Sequence, residues 1–148
     1  MGVVADLVSE VLGIRASGPF PLMSAVEKGL PLRSLDRVVH AVAPSDTKFV
    51  FRIIPRATLA RRRRAWATAK DRVEGRLSAE EGTRLARLAS VWAMALEVWG
   101  EPAAARQFMF EAHGLLHGRR PVDIVLENEF GRPIVEGILG RLRYGSAV

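Results

Sequence analysis

The 148-residue chain contains no cysteine, which excludes disulfides, thiolate metal sites and a cysteine nucleophile. Aromatic residues make up 7% of it, tyrosine occurs once, and 3 of the 22 basic residues are lysine. No uninterrupted apolar run reaches the roughly 18 residues that a membrane span needs. The opening stretch MGVVADLVSEVLG has no basic leader region and carries Asp6 and Glu10 inside its apolar part, so a cytoplasmic protein without a membrane partner is expected. No GxSxG, Walker loop or GxGxxG sequence occurs, and Glu80 with Glu81 reads as a helix start rather than an acid–base pair. These absences lead us to expect neither an enzyme nor a bound cofactor.

What remains is globular and basic. Hydrophobic residues reach 49% and charged residues 26%, a balance that folds. The net charge of +6 is unevenly placed: residues 1–77 carry 14 Lys/Arg against 7 Asp/Glu, and residues 78–148 carry 8 against 9. Such asymmetry suits a polyanion-binding half joined to a near-neutral half. Arginine outnumbers lysine throughout, so part of the excess is a compositional habit of the whole chain.

Apolar residues recur at helical spacing and not at the spacing of strands, which predicts an all-α protein. Val3, Val4, Leu7, Val8, Val11 and Leu12 form a stripe that must be buried, either against the chain's own core or against a dimer partner. Residues 22–43 read as two short helices divided by Gly29 and Pro31, the second with Leu32, Leu35, Val38, Val39 and Val42 on its inner face. A short helix over SDTKFVFRII, with Ser45 near its cap, then precedes a helix opened by Pro55. Ser78 and Glu81 form a capping box ahead of a long helix striped by Leu85, Leu88, Ala89, Trp92, Leu96 and Trp99. Gly100 ends that helix and Pro102 restarts the chain, with Phe108 and Met109 pointing inward. Two further helices follow. The last places Ile134, Val135, Ile138, Leu139 and Leu142 on one face, is expected to end at about Leu142, and has Gly145 as a C-cap candidate.

The run RRRR at 61–64 raises the question of direction. At about 100° per residue, Leu59, Trp66 and Val73 fall on one side and mark it as buried. Arg62 and Arg63 flank that side, where their stems lie along apolar surface. Ala57, Arg61, Arg64 and Thr68 cluster opposite. Two short helices joined by a tight turn, the second carrying this face, have the arrangement of a helix-turn-helix in which the second helix enters the major groove of DNA. The expected DNA-binding residues are Arg56, Ala57, Thr58, Arg61, Arg64 and Thr68. His113 and His117 stand four apart with Gly114 between them and without an evident further ligand, so they are read as surface or loop residues and not as a metal site.

The segments TLARRRR, RLSAEEGTRLARLASVWAMALEVWGEPAAARQF and GRRPVDIVLENEFGRPIVEGILGRLRYG together resemble the Xre/MbcA/ParS-type antitoxins, over about residues 30 to 146. The resemblance rests on Thr58 and Leu59 with the arginines after them, the Arg84–Leu85–Arg87–Leu88 helix start, Trp99–Gly100, Arg120–Pro121–Asp123, Gly131–Arg132, and Arg141 with Tyr144–Gly145. It implies an Xre-like helix-turn-helix, which together with the N-terminal helix outside the resemblance makes a first domain of residues 1–77, and a C-terminal toxin-binding domain, residues 78–148. It also implies a partner with a RES domain, a toxin that acts on NAD. The tail then takes on meaning: Arg143, Tyr144 and the segment to Val148 offer a guanidinium, an aromatic ring and a terminal carboxylate to an NAD-binding cleft. The expected toxin-binding residues are Arg120, Asp123, Arg132, Arg141, Arg143, Tyr144, Gly145 and Val148. Operator DNA and a second copy of the chain, as a homodimer, complete the expected partners. The alternative is a helical DNA-binding regulator whose second half dimerises or senses a ligand.

Overall fold

Five of the eight prolines stand at or just before the first residue of a helix in the computed structural model of the chain, which describes residues 2–70 and 74–145, with side chains from Ala5 onward. Proline suits that position because its missing N–H would have had no intrahelical partner there. The helices are α1 (Gly2–Leu12), α2 (Pro19–Lys28), α3 (Leu32–Val42), α4 (Arg56–Thr68), α5 (Ala79–Trp99), α6 (Pro102–Phe110), α7 (Pro121–Glu127) and α8 (Gly131–Tyr144). Single 3-10 turns occupy Phe49–Arg52 and Gly114–Leu116. Among the described residues there is no strand, and the protein is all-α. The chain divides into two compact units, Met1–Ala86 and Arg87–Val148, with the division inside α5.

The first unit packs α1 against α2 and α3. Val8 and Leu12 of the α1 stripe are buried there with Leu35, Val38 and Val42 of α3, so these two stripe residues serve their own subunit. Two buried hydroxyls are satisfied by backbone: Ser34 Oγ donates to the Leu12 carbonyl at 2.6 Å and Ser9 Oγ to that of Ala16 at 2.8 Å. Segment 74–77 is drawn back onto the α2–α3 turn, with Leu77 N–H donating to the Leu30 carbonyl at 2.8 Å and Leu32 N–H to that of Gly75 at 3.1 Å. Gly29 permits this approach. Its φ is +107, and a Cβ there would lie 2.9 Å from the Leu77 carbonyl oxygen.

The capping box at 78–81 forms as the spacing predicts: Ser78 N–H donates to Glu81 Oε1 at 2.8 Å and Glu81 N–H to Ser78 Oγ at 3.1 Å. The same carboxylate takes the Arg62 guanidinium. Burial opposes the charged form of Glu81, yet the bonds from Arg62 and Ser78 outweigh it and hold the carboxyl below its ordinary range.

The second unit packs α6 on α7 and α7 on α8. Its core holds Leu88, Trp92, Phe108, Met109, Val125 and Leu139. Phe108 and Met109 point inward as expected. Gly131, the first residue of α8, lies so close to α7 that a Cβ there would overlap the Ile124 carbonyl.

Several expectations from periodicity are corrected. SDTKFVFRII forms one 3-10 turn rather than a helix: the Asp46 carboxylate accepts the Lys48 N–H at 2.9 Å, a local turn, and Pro55 disfavours helical geometry at Ile54. α2 begins at Pro19, three residues before the expected start. Trp66 is 37% exposed although it shares a side with Leu59, the one residue of α4 that is buried. Trp99 is 41% exposed at the end of α5, its ring 6.0 Å from that of Phe108. Ile134 and Leu142 are about half exposed (52% and 49%), and α8 continues past Leu142 to Tyr144. Val73 lies outside the described residues.

Two stability predictions result. Gly131→Ala should lower unfolding free energy by about 2–4 kcal/mol, because backbone must move to admit a methyl group; a thermal melt unchanged from wild type contradicts the close approach. Glu81 has a folded pKa below its unfolded value of about 4.3, so its stabilisation is complete above that value and lost as pH falls through the folded one. Glu81→Gln should therefore cost about 1–3 kcal/mol at neutral pH and flatten the loss of stability on acidification, read from denaturant melts between about pH 6 and about pH 3.

Candidate functional site

The four consecutive arginines of α4 divide by direction. Arg62 is turned inward to Glu81 and also donates to the Arg76 carbonyl at 3.3 Å. Arg63 grips Asp36 of α3 through both terminal nitrogens, at 2.6 and 3.1 Å, and these bonds push its guanidinium pKa above the ordinary value despite partial burial. Arg62 and Arg63 thus flank the buried side. Arg61 and Arg64 are exposed, and among the described residues neither makes an ion pair. Ala57 and Thr68 are exposed with them, and Thr58 is half-buried. Thr68 Oγ1 donates back to the Arg64 carbonyl at 3.0 Å in the last turn. Arg56 lies over the Phe51 ring, 4.2 Å from its centroid.

The candidate toxin-binding residues of the second unit are distributed over α7 and α8. Arg120 forms a two-pronged bond with Asp123, at 2.7 and 2.9 Å, on the first turn of α7, and lies over Phe110. That hydrogen bonding raises the Arg120 pKa, against the opposing effect of burial. Arg132 reaches Glu136 one turn along α8 at 3.3 Å, and Glu136 also accepts Ser90 Oγ of α5 at 3.0 Å. Arg143 pairs with Glu97 of α5 and lies over the ring of its neighbour Tyr144. Arg141 and Gly145 are exposed, and Tyr144 is 73% exposed. Val148 lies outside the described residues.

α8 therefore has two faces. Val135, Ile138 and Leu139 are buried. Phe130, Ile134, Gly137, Arg141 and Tyr144 recur at intervals of four, three, four and three residues and are all exposed, Phe130 by 73%. That spacing lines residues along one side of a helix, here an apolar and aromatic stripe with a glycine at its centre and one cation. Reading the sequence missed Phe130 and assigned Ile134 to the core. A signal was present, since two interleaved apolar stripes on one helix cannot both face inward.

His113 belongs to the loop after α6, its ring 5.0 Å from that of Phe108 and its backbone N–H donating to the Arg119 carbonyl at 3.1 Å. His117 ends the second 3-10 turn with φ of 57°. Among the described residues no helix is long and apolar enough to cross a membrane.

Arg143 and Glu97 are both partly exposed, and such a pair is worth about 0–1 kcal/mol. Arg143→Ala should leave the melting temperature nearly unchanged, so that any loss of partner binding in this variant reports the contact itself. A large drop in melting temperature would instead make Arg143 a structural residue.

Residues 94–145 match the family model of the antitoxin Xre/MbcA/ParS C-terminal toxin-binding domain. The matched segment comprises the end of α5 together with α6, α7 and α8, and it supports an antitoxin role with a toxin as partner. No curated protein matches the chain.

Proposed function

We propose that the chain is the antitoxin of a toxin–antitoxin pair, that it holds its toxin through the exposed stripe of α8, and that it acts by binding without catalysis. The observation that carries this reading is a coincidence of place: the segment matched by the toxin-binding family is the segment in which α8 leaves Phe130, Ile134 and Tyr144 uncovered. Large exposed apolar side chains on one helix face are costly to leave in water and characteristic of partner surfaces. The partner is a RES-domain toxin acting on NAD, as the resemblance through residues 78–146 implies. Arg143, Tyr144 and the segment to Val148 enter its NAD site, where a guanidinium and an aromatic ring take the contacts otherwise made by phosphates and a ring.

The first unit adds autorepression. Arg61 and Arg64, exposed and without an ion pair among the described residues, bind the operator of the same operon, with Ala57 and Thr68 allowing close approach and two copies of the chain reading two half-sites. Support comes from the division of the arginine run, because Arg62 and Arg63 are committed to Glu81 and Asp36 while their neighbours are not.

Co-expression with the neighbouring reading frame tests the antitoxin reading. Full-length protein should co-purify with that product and protect growth and cellular NAD. Ile134→Asp and a truncation after Leu142 should keep the fold yet lose protection; equal protection by both would place the contact elsewhere on the second unit. In a separate measurement, Arg61→Ala with Arg64→Ala should weaken operator binding and reduce the salt slope by roughly one to two, at about 0.9 for each lost phosphate contact. Unchanged affinity and slope would remove DNA binding from α4.

A further inference from the structure

The first unit contains a pocket of about 480 Å3 bounded by the α1–α2 connection, one side of α2, the α2–α3 turn and segment 74–76. Four cations line it, Arg15, Lys28, Arg33 and Arg76, against one acid, Glu74. Two of the cations are already engaged. Arg76 donates to the Gly29 carbonyl at 2.8 Å, while Arg33 holds Glu74 through its guanidinium at 2.6 Å and its backbone N–H at 2.7 Å. The Glu74 carboxylate is thus seated at the positive end of α3, as a carboxylate should be. Arg15 and Lys28 are different: both are exposed, and among the described residues neither side chain has a hydrogen bond or an ion pair. Two unneutralised cations lining one concavity repel each other and raise the local concentration of anions. The remaining walls include Ile14, Pro21, Ala25 and Pro31, apolar surface suited to the body of an organic ligand.

We infer that this pocket binds a small phosphorylated ligand of nucleotide size, with Arg15 and Lys28 taking its phosphoryl oxygens and the apolar walls its organic part. Its volume lies in the range of about 300–1,000 Å3 in which pockets enclose ligands of that size. A planar guanidinium beside an ammonium is a common pairing for phosphate, the first binding in a fork and the second as a point charge. The concavity favours a terminal phosphoryl group over the phosphodiester backbone of a duplex, whose phosphates lie along a convex cylinder and pair better with the outward arginines of α4. Every residue that lines the pocket belongs to the first unit, so its occupation is a property beyond toxin binding.

The test is titration calorimetry on the full chain with ADP, adenosine, inorganic phosphate and a duplex of unrelated sequence. ADP should bind saturably at one site, phosphate more weakly, and adenosine not at all. Arg15→Ala and Lys28→Ala, each at an exposed and unpaired side chain, should each loosen ADP by about tenfold or more without a change in melting temperature; Lys28→Gln repeats the measurement with the stem retained. Absence of saturable ADP binding overturns the inference, as does wild-type affinity in folded variants. Duplex binding that depends on Arg15 and Lys28 while ADP fails to bind also overturns it, and reassigns both cations to nucleic acid.

Discussion

Guanidinium groups laid against backbone carbonyls hold much of this fold. Arg37 donates to the carbonyls of Val11 and Glu10, both at 3.2 Å, at the end of α1. Arg76 reaches the Gly29 carbonyl after α2, Arg84 that of Ile53 at 2.6 Å, and Arg87 those of Val125 and Leu126 at 3.1 and 3.4 Å in the last turn of α7. The reason lies in helix length. The last four carbonyls of any helix lack an intrahelical partner, and in helices of 11, 10 and 7 residues such as α1, α2 and α7 they are a large share of the total. Arginine answers this with a planar fork of donors and a charge attracted to the negative end of the helix dipole. A lysine ammonium would not bridge two successive carbonyls in this way. The preference for arginine is therefore structural as well as compositional.

That commitment changes how the positive charge is read. A basic first half suggests a continuous polyanion surface, yet Arg37, Arg62, Arg63, Arg76 and Arg84 are anchored within the first unit to carbonyls or acids. The charge left for partners is smaller and more localised, and among the described residues it includes Arg61 and Arg64 on α4 and Arg15 and Lys28 at the pocket. Separating the two groups requires the positions of Glu81, Asp36 and the carbonyls, because a guanidinium that is neutralised locally contributes little to long-range attraction.

In the second unit the equivalent constraint is Gly131. With no side chain it lets the start of α8 meet the Ile124 carbonyl, and this contact fixes the rotation of α8 about its own axis. Rotation decides which stripe is core. Val135, Ile138 and Leu139 turn inward, and Phe130, Ile134 and Tyr144 are left outside. The Ser90–Glu136–Arg132 bonds hold the same setting from α5.

Helical class, the Ser78–Glu81 capping box, the helix starts marked by Pro55 and Pro102 and the inward direction of Leu35, Leu88, Phe108 and Met109 were determined by the sequence alone, because each depends on residues within a few positions of one another. The flanking positions of Arg62 and Arg63 and the outward ones of Arg61 and Arg64 also followed from helical geometry. The fate of Trp66, Trp99, Ile134 and Leu142 did not. Periodicity assigns a residue to a side of its helix, but burial requires that a neighbouring element cover that side at that height. Which carbonyl an arginine caps, which helix Gly131 touches, and that Arg15 and Lys28 line one pocket with Glu74 depend on chain segments distant in sequence. Only the tertiary structure brings those segments together.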